Sequence, residues 1–168
     1  PPTLPVHRLL VGRRGCVFFY SKRPPPRHSR VRSSAASDVC KGQHLMFAVI
    51  VGCSEIGYHL AKSLLATGHE VVVVEKDRDR CQLLIDEVGG ISLQGDGTDE
   101  SVLKQAGLAR ADVLIAVVGR DDTNLVICQM TKHIFNVPHT MTVIRDPKNE
   151  ALFHVLGVDV VVNSIHLV

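Results

Sequence analysis

Short apolar runs alternate with amphipathic segments from residue 46 to residue 168. The runs are rich in Val and Ile and predict six strands, at 47–51, 71–75, 91–94, 113–117, 140–144 and 160–162. The segments between them carry apolar residues at helical spacing and predict five helices, at 55–67, 77–88, 99–106, 121–135 and 148–156. Such alternation is typical of parallel β/α units, so we expect an α/β fold with a doubly wound six-stranded sheet and helices on both faces.

Local signals support these boundaries. Gly68 follows the first helix as a C′ glycine, Asp77 is an N-cap before the second helix, and Pro147 begins the last helix at N1. The strand runs VVVV and VLIAVV are apolar throughout, as in strands that are buried on both faces of a parallel sheet. In such a sheet a ligand binds at the carboxyl ends of the strands, where the strand order reverses.

A nucleotide-binding fingerprint in altered form lies where the first strand meets the first helix. The pattern G-x-G-x-x-G has Gly52, Ser54 and Gly57 at its three positions. In Rossmann-like folds these glycines make the tight turn, let the backbone approach a pyrophosphate and allow close helix–strand packing. Ser54 is small, and its hydroxyl is able to bond a phosphate oxygen. We therefore predict a phosphate-binding loop over 52–57, which includes Cys53 and Ile56.

Glu55 is the unusual residue of this loop. An acid in the first turn of a helix complements the helix dipole by about 0.3–1 kcal/mol, but the same charge repels a pyrophosphate bound at that end. Two interpretations stay open. Glu55 either points to solvent and only stabilises the helix, or faces the ligand and weakens phosphate binding.

Acidic residues follow the second, third and fourth strands. Glu75 ends the second strand, 18 residues after Gly57, where an acid either binds the ribose hydroxyls or is only a solvent-exposed residue before a turn. An acid here disfavours a ligand with a 2′-phosphate. Lys76 follows Glu75. The stretch QGDGTD places Asp96 and Gly97 after the third strand, where they either contact an adenine or ribose or form only a turn before the Asp99 cap. The stretch VVGRDDTN forms a further glycine-containing loop after the fourth strand.

The first 45 residues differ chemically from the rest. They contain nine Lys/Arg and one Asp, a net charge of +8, whereas residues 46–168 contain ten Lys/Arg and sixteen Asp/Glu, a net charge of −6. This Pro-, Arg- and Ser-rich segment is expected to be a disordered basic leader. Three interpretations stay open: sequence outside the native reading frame, with Met46 as the start; a targeting peptide; or a tail for nucleic acid or lipid.

Other side-chain chemistry changes the picture little. The five cysteines form no C-x-x-C pair and indicate reduced thiols in a cytosolic protein. The nine histidines lack metal-ligand spacing, so no metal site is predicted. No apolar run reaches the about 20 residues that cross a bilayer, and any link to a membrane is expected to go through a partner.

Three sequence blocks together resemble the RCK/KTN domain of TrkA N-terminal type, which regulates potassium channels and potassium uptake systems. They are MFAVIVGCSEIGYHLAKSLLATGHEVVVVEKD, LQGDGTDESVLKQAGLARADVLIAVVGRDDTNLVICQM and NVPHTMTVIRDPKNEALFHVLGVDVVVN. The resemblance covers residues 46–168 and implies a Rossmann-like cytoplasmic regulatory domain. Such a domain binds NAD(H), or ATP and ADP in relatives, forms homodimers or rings, and gates a potassium channel or transporter subunit in the membrane.

The resemblance also implies a set of site residues. The phosphate loop is Gly52 to Gly57, the ribose acid is Glu75, and the loop after the fourth strand contributes Val118 and Gly119. Many relatives have an arginine at the positions of Glu55 and Val143, and this chain has neither. Arg145 lies two residues after Val143, on the same strand face, and is the candidate to supply the missing positive charge.

Three functions are compatible with these observations. The first is a regulatory nucleotide sensor, which is not an enzyme and does not bind nucleic acid. The second is the cofactor-binding half of an NAD-dependent dehydrogenase, but His59, His133 and His139 offer no acid–base pair for it. The third is an assembly module without a ligand. For it, the apolar residues of the fourth helix could form a subunit interface, although burial against the sheet explains most of them. These residues are Leu125, Ile127, Cys128, Met130 and Ile134.

Overall fold

The structure, a computed structural model, describes residues 45–164. The three interpretations of the basic leader concern residues 1–45, of which residues 1–44 lie outside this range. Within it, no helix combines the length and the hydropathy that a membrane span needs.

Six strands and five α-helices alternate along the described residues. The strands are β1 (Phe47–Val51), β2 (Glu70–Glu75), β3 (Ile91–Gln94), β4 (Val113–Ala116), β5 (His139–Ile144) and β6 (Val160–Asn163). The helices are α1 (Glu55–Ala66), α2 (Arg78–Val88), α3 (Glu100–Gln105), α4 (Asp121–His133) and α5 (Glu150–Val155). Two 3₁₀ helices lie at Leu108–Arg110 and Pro147–Asn149.

The strands form one sheet in the order β3-β2-β1-β4-β5-β6, and each neighbouring pair is parallel. The chain moves outwards from β1 to β3 and then returns to start β4 on the other side of β1. The strand order therefore reverses between β1 and β4, where Val51 pairs with Ala116. In a doubly wound sheet a ligand cleft lies at the carboxyl ends of the strands beside this point.

Two apolar cores cover the two faces of the sheet. On one face Ala61 of α1 and Leu84 of α2 pack on alternate residues of the central strands. On the other face Leu103 of α3, Ile127 of α4 and Phe153 of α5 do the same. All residues of β1 and β4 are buried, which explains their continuous apolar runs. The predicted fold class is confirmed.

The observed helices lie where the sequence predicts them, but one predicted α-helical turn is a 3₁₀ helix. Asp77 caps α2 by accepting the N–H groups of Asp79 and Arg80, and Gly68 follows the C-cap of α1 at a φ of 87°. The single helix predicted at 148–156 is wrong in its first turn. Pro147 begins a 3₁₀ helix, in which the Asn149 N–H donates to the carbonyl of Asp146, three residues earlier, and α5 starts only at Glu150.

The apolar residues of α4 pack mostly within the domain. Ile127 and Cys128 are fully buried, and Leu125 and Met130 pack against the same core. Only Ile134 of this group is exposed, over 47% of its surface. Burial against the sheet therefore explains four of the five positions.

Candidate functional site

The loop between β1 and α1 has the tight turn of a nucleotide fingerprint. Gly52 has a φ of 104°, and a Cβ at this position would lie 2.9 Å from the carbonyl carbon and oxygen of Val117. At Gly57 a Cβ would collide with the carbonyl oxygen of Gly52 and lie 3.0 Å from Cγ2 of Val117. Both positions therefore need glycine, one for its backbone conformation and one for close packing.

The middle fingerprint position behaves differently from the sequence expectation. Ser54 is the N-cap of α1, but its side chain forms no capping hydrogen bond. Its hydroxyl donates to the carbonyl oxygen of Val117 at 3.2 Å. Because the single hydroxyl proton is already used, Ser54 presents only acceptor lone pairs to a phosphate, and the expected Ser54–phosphate hydrogen bond would require this contact to break.

Glu55 and Ile56 are exposed in the first turn of α1. The Glu55 carboxylate has no hydrogen bond or ion pair with a described residue. It lies on the wall of the cleft described below, so both its dipole effect and its repulsion of an anionic ligand apply at the same place.

Glu75 is tied to the fingerprint loop by its carboxylate. Oε2 accepts the N–H of Cys53 at 2.5 Å, and Oε1 accepts the N–H of Asp77 at 3.0 Å. Both oxygens keep a further lone-pair direction that is able to accept a ribose hydroxyl. The pKa of the Cys53 thiol is raised, mainly by burial and further by the negative charge of Glu75, so this thiol is protonated at neutral pH.

Lys76 and Asp96 form an ion pair between the ends of β2 and β3. Their Nζ and Oδ2 atoms lie 2.8 Å apart, and both side chains are well exposed. The hydrogen bond from Lys76 and the one from the Thr98 backbone lower the pKa of Asp96 to about 2. Gly97 packs so closely on Val51 that a Cβ would overlap with its side chain. Asp96 therefore orders its own turn and binds Lys76.

A buried asparagine that the sequence analysis missed connects the ends of β4 and β5. Asn124 of α4 is fully buried. Its Oδ1 accepts the N–H of Val118, and its Nδ2 donates to the carbonyl oxygens of Val118 and Val143, all at 2.9 Å. The sequence shows Asn124 in the DDTN stretch, close to the end of the fourth strand. Nothing in the sequence indicates that the same side chain also contacts β5.

Arg145 follows β5 and lies against the loop after β4. A Cβ at Gly119 would come within 3.2 Å of Nη2 of Arg145, so the absence of a side chain at Gly119 leaves room for the guanidinium. The Arg145 guanidinium has no hydrogen bond or ion pair with a described residue. The structure therefore places this positive charge at the cleft, next to Gly119.

A cleft of about 470 Å³ joins several of these groups. Five predicted residues line it: Cys53, Ser54, Glu55, Gly119 and Arg145. Three further lining residues were not predicted, namely Tyr58, Arg80 and Leu83. The sequence signal for Arg80 was its position in the first turn of α2, five residues after Glu75 at the end of β2. The other eight predicted residues do not line this cleft: Gly52, Ile56, Gly57, Glu75, Lys76, Asp96, Gly97 and Val118.

Among residues 45–164 there is no group of three His, Cys, Asp or Glu side chains that could hold a metal ion. His133 contacts Gln129, one turn away on α4, at 3.1 Å, and no hydrogen bond joins it to an acid. Cys53, Cys81 and Cys128 are buried free thiols.

The strand order, the glycine turn beside the reversal point and the acid at the end of β2 define a Rossmann-like α/β domain of the nucleotide-binding type. The chain belongs to the TrkA-N domain family, whose model matches residues 48–164. The family resemblance predicted from the sequence is confirmed.

Named relatives and solved structures agree with this assignment. The Trk system potassium uptake protein TrkA homolog of Pyrococcus abyssi is 36% identical over 110 residues, which are 64% of this chain and 48% of that protein. TrkA of Streptomyces coelicolor is 31% identical over 69% of this chain and 52% of that protein. The chain thus spans about half the length of the curated relatives it matches.

Among solved structures, the TrkA-N domain of the inner membrane protein ybaL from Escherichia coli has a TM-score of 0.67 and covers 74% of this chain and 91% of its own. At 22% sequence identity, this similarity supports a shared fold and nothing more. The GsuK channel bound to NAD is 25% identical, with a TM-score of 0.63 over 72% of this chain and 22% of that chain. GsuK bound to ADP has the same TM-score.

Proposed function

We propose that this chain is a nucleotide-sensing regulatory domain of a potassium transport system. It binds NAD(H) at the cleft beside the fingerprint loop, with ATP or ADP as the second choice, and it catalyses no reaction. A ligand shifts the domain between conformations in proportion to its difference in affinity for them, and a membrane channel or transporter subunit responds to that shift.

The attachment of Glu75 to the fingerprint loop is the observation that carries this proposal. The carboxylate is held by two backbone N–H groups, from Cys53 and Asp77, at the point where a ribose would lie beside the loop. An acceptor fixed in this way loses little conformational entropy when it binds a diol. Its negative charge also disfavours a 2′-phosphate, so NADPH is the poorer ligand.

Two positive charges support an anionic ligand. Arg80 and Arg145 line the cleft, and neither guanidinium has a hydrogen bond or ion pair with a described residue. Glu55, which is also unpaired, lies on the wall of the cleft. The cleft is therefore lined by two positive side chains and one negative side chain. This balance favours a phosphate-containing ligand but binds it less tightly than a lining without the acid would.

Relatives and neighbours supply the biological setting. The named relatives are TrkA homologues of potassium uptake systems, and a structural neighbour is a channel that is bound to NAD in one structure and to ADP in another. We therefore expect a cytoplasmic location at the inner face of the membrane, reached through a potassium channel or transporter subunit.

Exposed apolar residues on α5 and β6 fit the expected homodimer or higher oligomer. Val155 is 83% exposed and Leu152 is 48% exposed, while Val160 is 41% and Leu156 is 39% exposed. Exposed apolar patches mark protein–protein contact sites, and we propose that these four side chains belong to one such patch. Sedimentation analysis of the chain and of Val155→Asp would detect an oligomer and its loss.

A second candidate, an assembly module without a ligand, is favoured by Glu55. The acid stands at the phosphate end of α1, and the Ser54 hydroxyl is used within the protein. This candidate predicts an oligomer that forms normally and binds no nucleotide.

Calorimetric titration of the full chain with NADH, NAD, ATP, ADP and NADPH tests the proposal, together with Glu75→Ala and with Glu70→Ala as the matched control at the far end of β2. Binding of NAD(H), ATP or ADP that is lost in Glu75→Ala and kept in Glu70→Ala supports the sensor and identifies its ligand. Absence of binding by all five, with the protein folded, contradicts it and supports the assembly module.

A further inference from the structure

We propose that Asp121 is a positioning residue for Arg145. Its carboxylate fixes the backbone directly after β5 and thereby holds the Arg145 guanidinium at the cleft, where it binds an anionic group of the ligand. This inference rests on the proposed nucleotide-binding function.

Asp121 is the first residue of α4, yet its carboxylate is bound by groups that follow β5. Oδ1 accepts the Arg145 N–H at 2.8 Å, and Oδ2 accepts the Asp146 N–H at 3.1 Å. Oδ2 also accepts Nδ2 of Asn149 at 2.9 Å. One carboxylate thus binds three donors from residues that lie 24 to 28 positions later in the chain.

The same segment is held from a second side. The Arg145 guanidinium lies against Gly119, two residues before Asp121, where a Cβ would come within 3.2 Å of Nη2. Asn124, one turn into α4, bonds the carbonyl of Val143, two residues before Arg145. The backbone on both sides of the Arg145 side chain is therefore fixed by α4, while its guanidinium remains without a hydrogen bond or ion pair among the described residues.

The electrostatics agree with this geometry. Burial by itself would raise the pKa of Asp121, but the N–H groups of Arg145 and Asp146, the Asn149 amide and the Arg145 charge outweigh it and lower the pKa. The carboxylate is consequently ionised at neutral pH, and charge-assisted hydrogen bonds from backbone N–H groups are stronger than neutral ones.

Asp122 provides a matched control within the same helix turn. It carries the same charge at the same helix terminus, but its partners are local, since it binds the Arg120 side chain and the backbone of Thr123. If Asp121 acted only through the helix dipole, Asp121→Asn and Asp122→Asn would weaken nucleotide binding equally. If Asp121 acts through Arg145, only Asp121→Asn weakens nucleotide binding.

The test measures the affinity of the full chain for ADP and for adenosine by calorimetry. The proteins are wild type, Asp121→Asn, Arg145→Gln, the double variant and Asp122→Asn. We expect Arg145→Gln to weaken ADP binding by about tenfold, the loss of one charge-assisted contact, and to leave adenosine binding unchanged. Asp121→Asn should weaken ADP binding about threefold to tenfold, and the double variant should be no weaker than Arg145→Gln. Asp122→Asn should match wild type.

Two outcomes would overturn the inference. If the losses of ADP affinity in the two single variants multiply in the double variant, Asp121 does not act through Arg145. If Asp121→Asn weakens adenosine binding as much as ADP binding, the substitution loosens the fold in general. Amide hydrogen exchange at Arg145 and Asp146 provides a readout without nucleotide, and we expect it to be about tenfold faster in Asp121→Asn. Unchanged exchange would contradict the positioning role itself. If the wild-type protein binds no nucleotide, the proposed function is overturned instead. The amide exchange rates would then still show whether Asp121 fixes the backbone at Arg145.

Discussion

The Glu75 carboxylate accepts the Cys53 N–H at 2.5 Å across 22 residues of chain, and this contact joins the end of β2 to the fingerprint loop. The second oxygen accepts the Asp77 N–H at the start of the turn into α2. The acid therefore has a structural role as well as the ribose-binding role proposed for it. Both roles depend on the same carboxylate.

Glu75→Gln tests both roles of this carboxylate. The amide keeps one acceptor oxygen but turns an NH₂ group towards a backbone N–H, which leaves that N–H unsatisfied. We expect the free energy of unfolding to fall by about 1–3 kcal/mol and nucleotide affinity to fall as well. Urea denaturation and calorimetry measure the two effects. Glu70→Gln, at the exposed start of the same strand, should change neither.

Gly57→Ala tests the close approach of α1 to the sheet. Alanine in a helix is favoured over glycine by about 1 kcal/mol, but the new Cβ would overlap with the carbonyl oxygen of Gly52, which is backbone and cannot rotate away. Overpacking of this kind costs about 1–3 kcal/mol, so we expect net destabilisation in urea unfolding. Gly89→Ala is the comparison, since its Cβ meets nothing within 4 Å and only its φ of +70° opposes the change. A Gly57→Ala protein more stable than wild type would contradict the observed packing.

Glu55→Gln decides between the two interpretations of that acid. A unit charge near a diphosphate, at an effective dielectric constant between those of water and of a protein surface, changes affinity by about threefold to tenfold. We expect tighter binding of ADP and NAD(H), together with a helix weakened by about 0.3–1 kcal/mol. Glu100→Gln, at the first residue of α3, removes a matched charge away from the cleft. Equal ADP affinity in both variants would show that Glu55 only stabilises α1.

Most of the fold was predictable because burial dictates the sequence pattern. The runs of β1 and β4 are apolar at every position since both faces of these strands are covered, and Gly68 and Asp77 end or begin helices through their own backbone and side-chain chemistry. The first turn at Pro147 was misassigned because a helix N-terminus and a 3₁₀ turn have the same capping residues.

The candidate site was predictable only where spacing along the chain determines contact. Gly52, Gly57 and Glu75 follow from the fingerprint, whereas Asn124 and Asp121 act on residues 19 to 28 positions away and depend on how α4 packs against β5. The Ser54 hydroxyl was expected to be free for a phosphate, but the carbonyl of Val117 lies within its reach only because β1 and β4 are neighbours.

Asn124→Leu tests the connection between β4 and β5. Leucine has a similar volume but leaves the N–H and carbonyl of Val118 and the carbonyl of Val143 without their partner in a buried region. We expect the free energy of unfolding to fall by about 2–3 kcal/mol, at the upper end for unsatisfied buried groups. Thr131→Val is the control in the same helix, since this buried hydroxyl bonds only the carbonyl of Ile127 one turn earlier. A small and equal loss in both variants would mean that the three bonds of Asn124 add nothing.

The Lys76–Asp96 ion pair gives a prediction about pH. The pKa of Asp96 is about 2 in the folded protein and lower than its ordinary value of 3.8, so folding favours the carboxylate. The contribution of this group to stability is therefore present above pH 4 and is lost as the pH falls towards 2. Carboxyl NMR titration of Asp96 should give a midpoint near pH 2 in wild type and a higher midpoint in Lys76→Met. Lys104→Met removes a positive charge from α3 and should leave the midpoint unchanged.

Since both partners of the Lys76–Asp96 ion pair are well exposed, added salt should also raise the midpoint of Asp96 in the wild-type protein. A midpoint near the ordinary value in wild type would show that the ion pair does not persist in solution, and Lys76 and Asp96 would then both be free for a ligand.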